Sequence, residues 1–177
     1  MSIASLVGGK VPQSNGWTQK LGGFSADGGQ AISPYDSFMG APVDYNVIDH
    51  RMYLHPTTSG VYTFSVSVAD DLVALWLGSS AVSGFSLDNT DFKWEWGGQP
   101  WSSYQYTVSP SAVGTFIPMR ILWANNGGRG ALGMSVTDPN GHEILGATST
   151  VDDQIVWRCV LTDKAPTWPP WESEVTG

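Results

Sequence analysis

The stretch Val68–Gly78, VADDLVALWLG, places two carboxylates side by side in what otherwise reads as one long apolar strand. Neighbouring side chains of a strand point to opposite faces, so regular pairing would turn one of the two toward a core. A buried carboxylate without a partner is costly. Ahead of the pair, VYTFSVSVA alternates cleanly: Tyr62, Phe64, Val66 and Val68 share one face, and Thr63, Ser65 and Ser67 the other. Behind it, Leu72–Leu77 is apolar on both faces, the pattern of a strand lying between two layers.

The rest of the chain fits a β protein. Its 177 residues suit one domain and include 21 Gly, 11 Pro and 9 Trp, with 14% charged residues. Turn-forming and aromatic residues in such numbers point to many strands joined by tight turns. Residues 1–40 read as long loops with short strands. Met52–His55 is a short strand, Asp88–Val108 is loop-rich, FIPMRILWA is a second two-sided strand, and in ALGMSVTD the residues Leu132, Met134 and Val136 share a face. The run DPNG, Asp138–Gly141, is a turn leading into a returning strand. Residues 164–177 have the Pro and Trp density of an edge segment or linker.

Net charge of −8 argues against nucleic acid or an anionic membrane as partner, and no segment is long and apolar enough for membrane insertion. The one cysteine, Cys159, can make no internal disulfide and reads as core packing. Catalysis is not expected. His50, His55 and His142 stand at no zinc spacing, and no nucleophile elbow or phosphate loop appears. A glycosidase needs two carboxylates about 5 Å or more apart across the scissile bond, which adjacent aspartates do not obviously supply.

NNGGRG, Asn125–Gly130, interrupts two apolar strands, and glycine lets such a loop turn its carbonyls inward. Two carboxylates, an Asn amide oxygen and several carbonyls make a donor set for Ca2+, which takes about 6 to 8 oxygens. For both Asp side chains to face one ion, the strand must be distorted between them. A plain bulge with Asp70 and Asp71 in water accounts for the residues equally well.

The run YLHPTTSGVYTFSVSVADDLVALWLGSSAVSGF, followed by FIPMRILWANNGGRGALGMSVTDPNG, resembles the GLEYA branch of the PA14-like lectin domains of fungal adhesins and flocculins. The resemblance is best over residues 45–146, within a single domain taken as 1–163. It implies an all-β, PA14-like β-sandwich of jelly-roll type with long loops at one end. It further implies that Asp70 and Asp71, joined by a cis peptide, hold Ca2+ with the Asn125 side chain and the Gly127 and Arg129 carbonyls. Asn126, Gly128 and Arg129 would then face a sugar. One cysteine cannot make the disulfides of flocculin-type members, which favours the simpler GLEYA type, and Gly128 stands where a side chain could have touched ligand.

Trp101, and after it Trp96, are candidates for an aromatic wall against the sugar, with core packing the other reading of both. The function implied is calcium-dependent recognition of terminal sugar hydroxyls on cell-surface glycans. The domain would be a monomeric unit of a larger extracellular or cell-wall protein, with a secretion signal outside these 177 residues. The alternative is a calcium-stiffened structural or protein-interaction module.

Overall fold

The computed structural model describes residues 12–35, 40–98, 102–150, 152–156, 165–171 and 174. Twelve strands are described: β1 Gly22–Ala26, β2 Ala31–Ile32, β3 Ala41–Pro42, β4 Val47–Leu54, β5 Gly60–Asp70, β6 Leu72–Leu77, β7 Phe92–Glu95, β8 Ser102–Val108, β9 Ile117–Ala124, β10 Gly130–Thr137, β11 Glu143–Leu145 and β12 Ile155–Val156. Two five-stranded sheets face each other. The first runs β1-β10-β5-β8 with β11 also on β10, and the second runs β12-β4-β9-β6-β7. The protein is an all-β sandwich.

The interior is filled from both sheets by the alternation visible in the sequence. Tyr62, Phe64 and Val66 of β5 and Leu132, Met134 and Val136 of β10 meet Val73 and Leu75 of β6 and Met119, Ile121 and Trp123 of β9. Burying one such side chain contributes roughly 1.5–3 kcal/mol. The other face of β6, Leu72, Ala74 and Trp76, forms a second cluster with Ala81 and Phe85, against which Trp168 and Trp171 of the C-terminal segment pack.

On that outer face Arg120 is wholly buried. It donates to Asp49 and Glu174 and to the Ala81 carbonyl, and lies 3.9 Å from the Phe85 ring centroid. Arg51 donates to the same Glu174. Burial pushes Asp49 up to about 6, against the pull of Arg120.

Two expectations change. The apolar run around Asp70–Asp71 is not one strand: β5 ends at Asp70 in the first sheet and β6 starts at Leu72 in the second. Asp70 pairs with Ala131 of β10 while Leu72 pairs with Ala124 of β9. The stretch Asp88–Val108, read as loop-rich, contains β7 and β8. In β7 only Trp94 is buried, and the four residues are too few for period-two alternation to stand out among the surrounding Gly and Trp. Cys159 and Trp101 lie outside the described residues.

His50 is a core histidine. Its Nδ1 donates to the Ile121 carbonyl and its Nε2 accepts from the Tyr35 hydroxyl, an arrangement that suits the neutral ring. Burial holds it down at about 4.

Candidate functional site

The sheet topology brings two crossings to one end of the sandwich. The chain passes from the first sheet to the second between β5 and β6, through Asp70–Asp71. It passes back between β9 and β10, through residues 125–129. Because β5 pairs with β10 and β6 with β9, the aspartates and the glycine-rich loop are forced together.

The Asp70–Asp71 peptide is cis. Hydrogen bonds to main-chain carbonyls fix the corner: the Asp71 N–H donates to the Ala124 carbonyl at 3.1 Å, the Trp96 N–H to the Asp71 carbonyl at 2.6 Å, and the Trp123 indole to the Asp70 carbonyl at 3.0 Å. The side chains reach the loop as well, with the Asn126 N–H donating to Asp71 Oδ2 at 2.7 Å. Asn125 is buried. Its amide donates to the Val43 carbonyl at 3.0 Å and to the Gly128 carbonyl, which leaves Oδ1 accepting from the Gly127 N–H at 3.0 Å. An amide oxygen can accept two hydrogen bonds, and this is one of them.

Asp70 is 6% exposed, and its carboxyl is held above the ordinary range. Burial is the first cause; the neighbouring Asp71 charge and a hydrogen bond between the two carboxyls add to it, and Arg129 pulls the other way. Two carboxylates crowded together with little protein charge to balance them are what a divalent cation neutralises. Among the described residues no three His, Cys, Asp or Glu side chains gather as a metal cluster. A cation held here would therefore rely on this pair together with amide and carbonyl oxygens.

The remaining expected residues fall around that corner. Asn126, Gly128 and Arg129 are exposed, and the Arg129 guanidinium donates to Ser25 Oγ at 3.1 Å. Gly127 and Gly128 have φ of 115° and 80°, a region that favours glycine. Trp96 is 61% exposed, so it is a surface residue beside the site, whereas Trp94 belongs to the core.

The family model for the GLEYA domain matches residues 46–138, just over half of the chain. The chain belongs to the GLEYA domain family. A protein of Schizosaccharomyces pombe named for cell agglutination, pfl4, is 26% identical over 99 residues. That alignment takes in 54% of this GLEYA chain and 16% of the relative. The fold resembles the A domain of epithelial adhesin 9 from Candida glabrata. The match to its complex with Galβ1-3GlcNAc has a TM-score of 0.52 at 18% identity, over 68% of this chain and 58% of that one. The match to its complex with Galβ1-4GlcNAc has a TM-score of 0.51 at 17% identity, over 70% and 65%. This chain thus spans less than two thirds of each relative.

One group in this GLEYA domain escaped the sequence reading. Asp44 accepts the Gly128 N–H at 2.7 Å and the Gly29 N–H at 2.5 Å, which hold its carboxyl below the ordinary range. The Asn46 carbonyl accepts the Asn125 N–H at 2.9 Å. Asp44-Tyr45-Asn46 therefore braces the 125–129 loop from outside. The turn character of Asp and Asn was visible in VDYN, but its partner lies 84 residues away.

Proposed function

We propose that this GLEYA domain is a carbohydrate-binding module of a cell-surface adhesin, and that it binds sugar through Ca2+. The observation that carries the reading is the crowded Asp70–Asp71 pair set against the Asn125 loop. Two carboxylates share the counter-charge of Arg129, the Asn125 oxygen accepts from the Gly127 N–H, and the loop opens to solvent beside them. The residues suited to hold Ca2+ are Asp70, Asp71 and Asn125 by side chain and Gly127 and Arg129 by carbonyl. The ion would supply open coordination positions for two neighbouring sugar hydroxyls.

The chain does the rest. Buried Asn125 fixes the loop through Val43, Asp71 holds the Asn126 N–H, and Asn126 and Arg129 remain exposed as donors for further hydroxyls. The relatives support the ligand class, being an agglutination protein by name and adhesin domains in complex with galactosides. This is binding without catalysis, and the ligand would be a glycan of another cell or a glycoprotein.

A glycan array read with calcium and again in EDTA tests the proposal. Binding of terminal sugars that EDTA abolishes supports it. Calcium uptake with no glycan bound anywhere on the array would replace it by the calcium-stiffened structural module.

A further inference from the structure

Among the described residues, the two most exposed large apolar side chains are Tyr45 at 79% and Trp96 at 61%, and both are tied to the backbone of one site. Single apolar residues scattered on a surface need no explanation, but two gathered at one polar corner do. Trp96 is tied by its N–H to the Asp71 carbonyl. Tyr45 is tied more firmly.

Tyr45 has a φ of 55° and is the one non-glycine with positive φ among the described residues. A bulky residue held there is strained and persists only where the surroundings determine it. The surroundings do so on both sides, through Asp44 to the Gly29 and Gly128 N–H groups and through the Asn46 carbonyl to the Asn125 N–H. The ring lies across Gly127, where an added Cβ would come within 3.3 Å of its Cζ. A clamped backbone thus presents an aromatic ring to solvent over the loop that carries Asn125 and Asn126. Core packing does not account for so exposed a ring. Tyr45 also precedes the residues matched to the family, 46–138, by one position.

Resting on the reading of this corner as a sugar site, we propose that Tyr45 is a specificity-determining wall of it, its ring taking the apolar C–H face of a pyranose. A tyrosine supplies a flat apolar surface at low entropic cost and keeps its hydroxyl in water. Trp101 and Trp96 are the aromatic candidates from sequence; Tyr45 lies on an earlier segment, the 44–46 turn.

The test titrates methyl β-galactoside, Galβ1-3GlcNAc, methyl α-mannoside and N-acetylglucosamine into wild type, Tyr45→Ala and Tyr45→Phe by calorimetry in calcium. Each variant is also titrated with calcium alone and melted. For whichever sugar the wild type binds, Tyr45→Ala should lose about tenfold or more in affinity, and Tyr45→Phe should stay within about threefold. Calcium affinity and melting temperature should hold in both. Saturation transferred from protein aromatic protons to the sugar ring C–H protons should fall in Tyr45→Ala. A Tyr45→Ala protein that binds the sugar as wild type does overturns the wall while leaving the sugar site standing. Loss of calcium binding in the same variant makes Tyr45 a brace of the loop and overturns the wall too. A wild type that binds none of the four, nor any sugar on the array, overturns the sugar site itself.

Discussion

Asp70–Asp71 and Asp138 lie at opposite ends of the same ladder. Strands β5 and β10 run antiparallel from the Asp70–Ala131 pair at one end to Thr63–Thr137 at the other, with Asp138 next along the chain. Both ends carry poorly exposed carboxylates, and they solve the problem of that charge in opposite ways. At Asp138, burial works against the charge, but the Asn140 and His142 N–H groups, each 2.9 Å from Oδ1, together with the Gln154 amide hold its carboxyl below the ordinary range. The DPNG turn is thereby closed on itself. At the other end burial raises the Asp70 pKa, and the neighbouring Asp71 carboxylate raises it further. One end is satisfied by donors of the chain itself; the other crowds two carboxylates together, the charge that the proposed cation would neutralise.

The contrast breaks most visibly on adding metal. A ligand that binds only the folded state contributes about 2.7 kcal/mol at a hundredfold excess over its Kd. Calcium should raise the melting temperature of wild type by several degrees. Asp70→Asn and Asn125→Ala should lose most of that gain, and Asp138→Asn should keep it. An unchanged melting curve in EDTA, after confirmed metal removal, would sink the calcium site.

Next in size is Asp138→Ala, which leaves backbone donors without their acceptor at a nearly buried turn and should cost about 2 kcal/mol by urea unfolding at neutral pH. The pH dependence has a definite sign. A carboxyl with a lowered folded pKa contributes stability that is present above its unfolded value and is lost as pH falls through the folded one. Stability of wild type relative to Asp138→Asn should therefore shrink on acidification below the ordinary Asp range. A flat difference across that range would show that Asp138 contributes by shape rather than by charge.

The sharpest comparison is smaller. In metal-free protein Asp70→Asn removes one of two crowded charges, and it should leave stability unchanged or raise it by up to about 1 kcal/mol, opposite in sign to Asp138→Ala. Clear destabilisation of the metal-free variant would mean that the pair is already balanced within the chain. Smallest of all, Asn126→Ala keeps the N–H that Asp71 accepts and should shift melting by less than about 0.5 kcal/mol, while changing which sugars bind.

Much of this was legible early, and unevenly. The alternation in β5 as far as Val66 and in β10, and the two-sided apolarity of β6 and β9, could be read directly, because the period of side-chain direction is a local property of the backbone. A register shift after Val66 leaves Val68, expected inward, half-buried and puts Ala69 in the core. The same locality hid β7, where four residues carry too little alternation to outweigh the Gly and Trp around them. At the site, Asp70, Asp71 and Asn125 drew notice through their own chemistry. Asp44 and Tyr45 did not, since an Asp followed by a Tyr in a turn is unremarkable until the loop it braces is known.

The amino-acid sequence by itself determined the all-β class, the faces of the longer apolar strands, and a pair of carboxylates and a glycine-rich loop, each at the end of an apolar run. Only the tertiary structure decided that these are the two crossings between sheets and that they meet. The Asp71–Asn126 bond spans 55 residues and the Arg51–Glu174 bond 123. Such pairings follow from strand register and from the packing of whole faces against each other. Register is set by the sum of the buried side chains on both sheets, so no local stretch contains it.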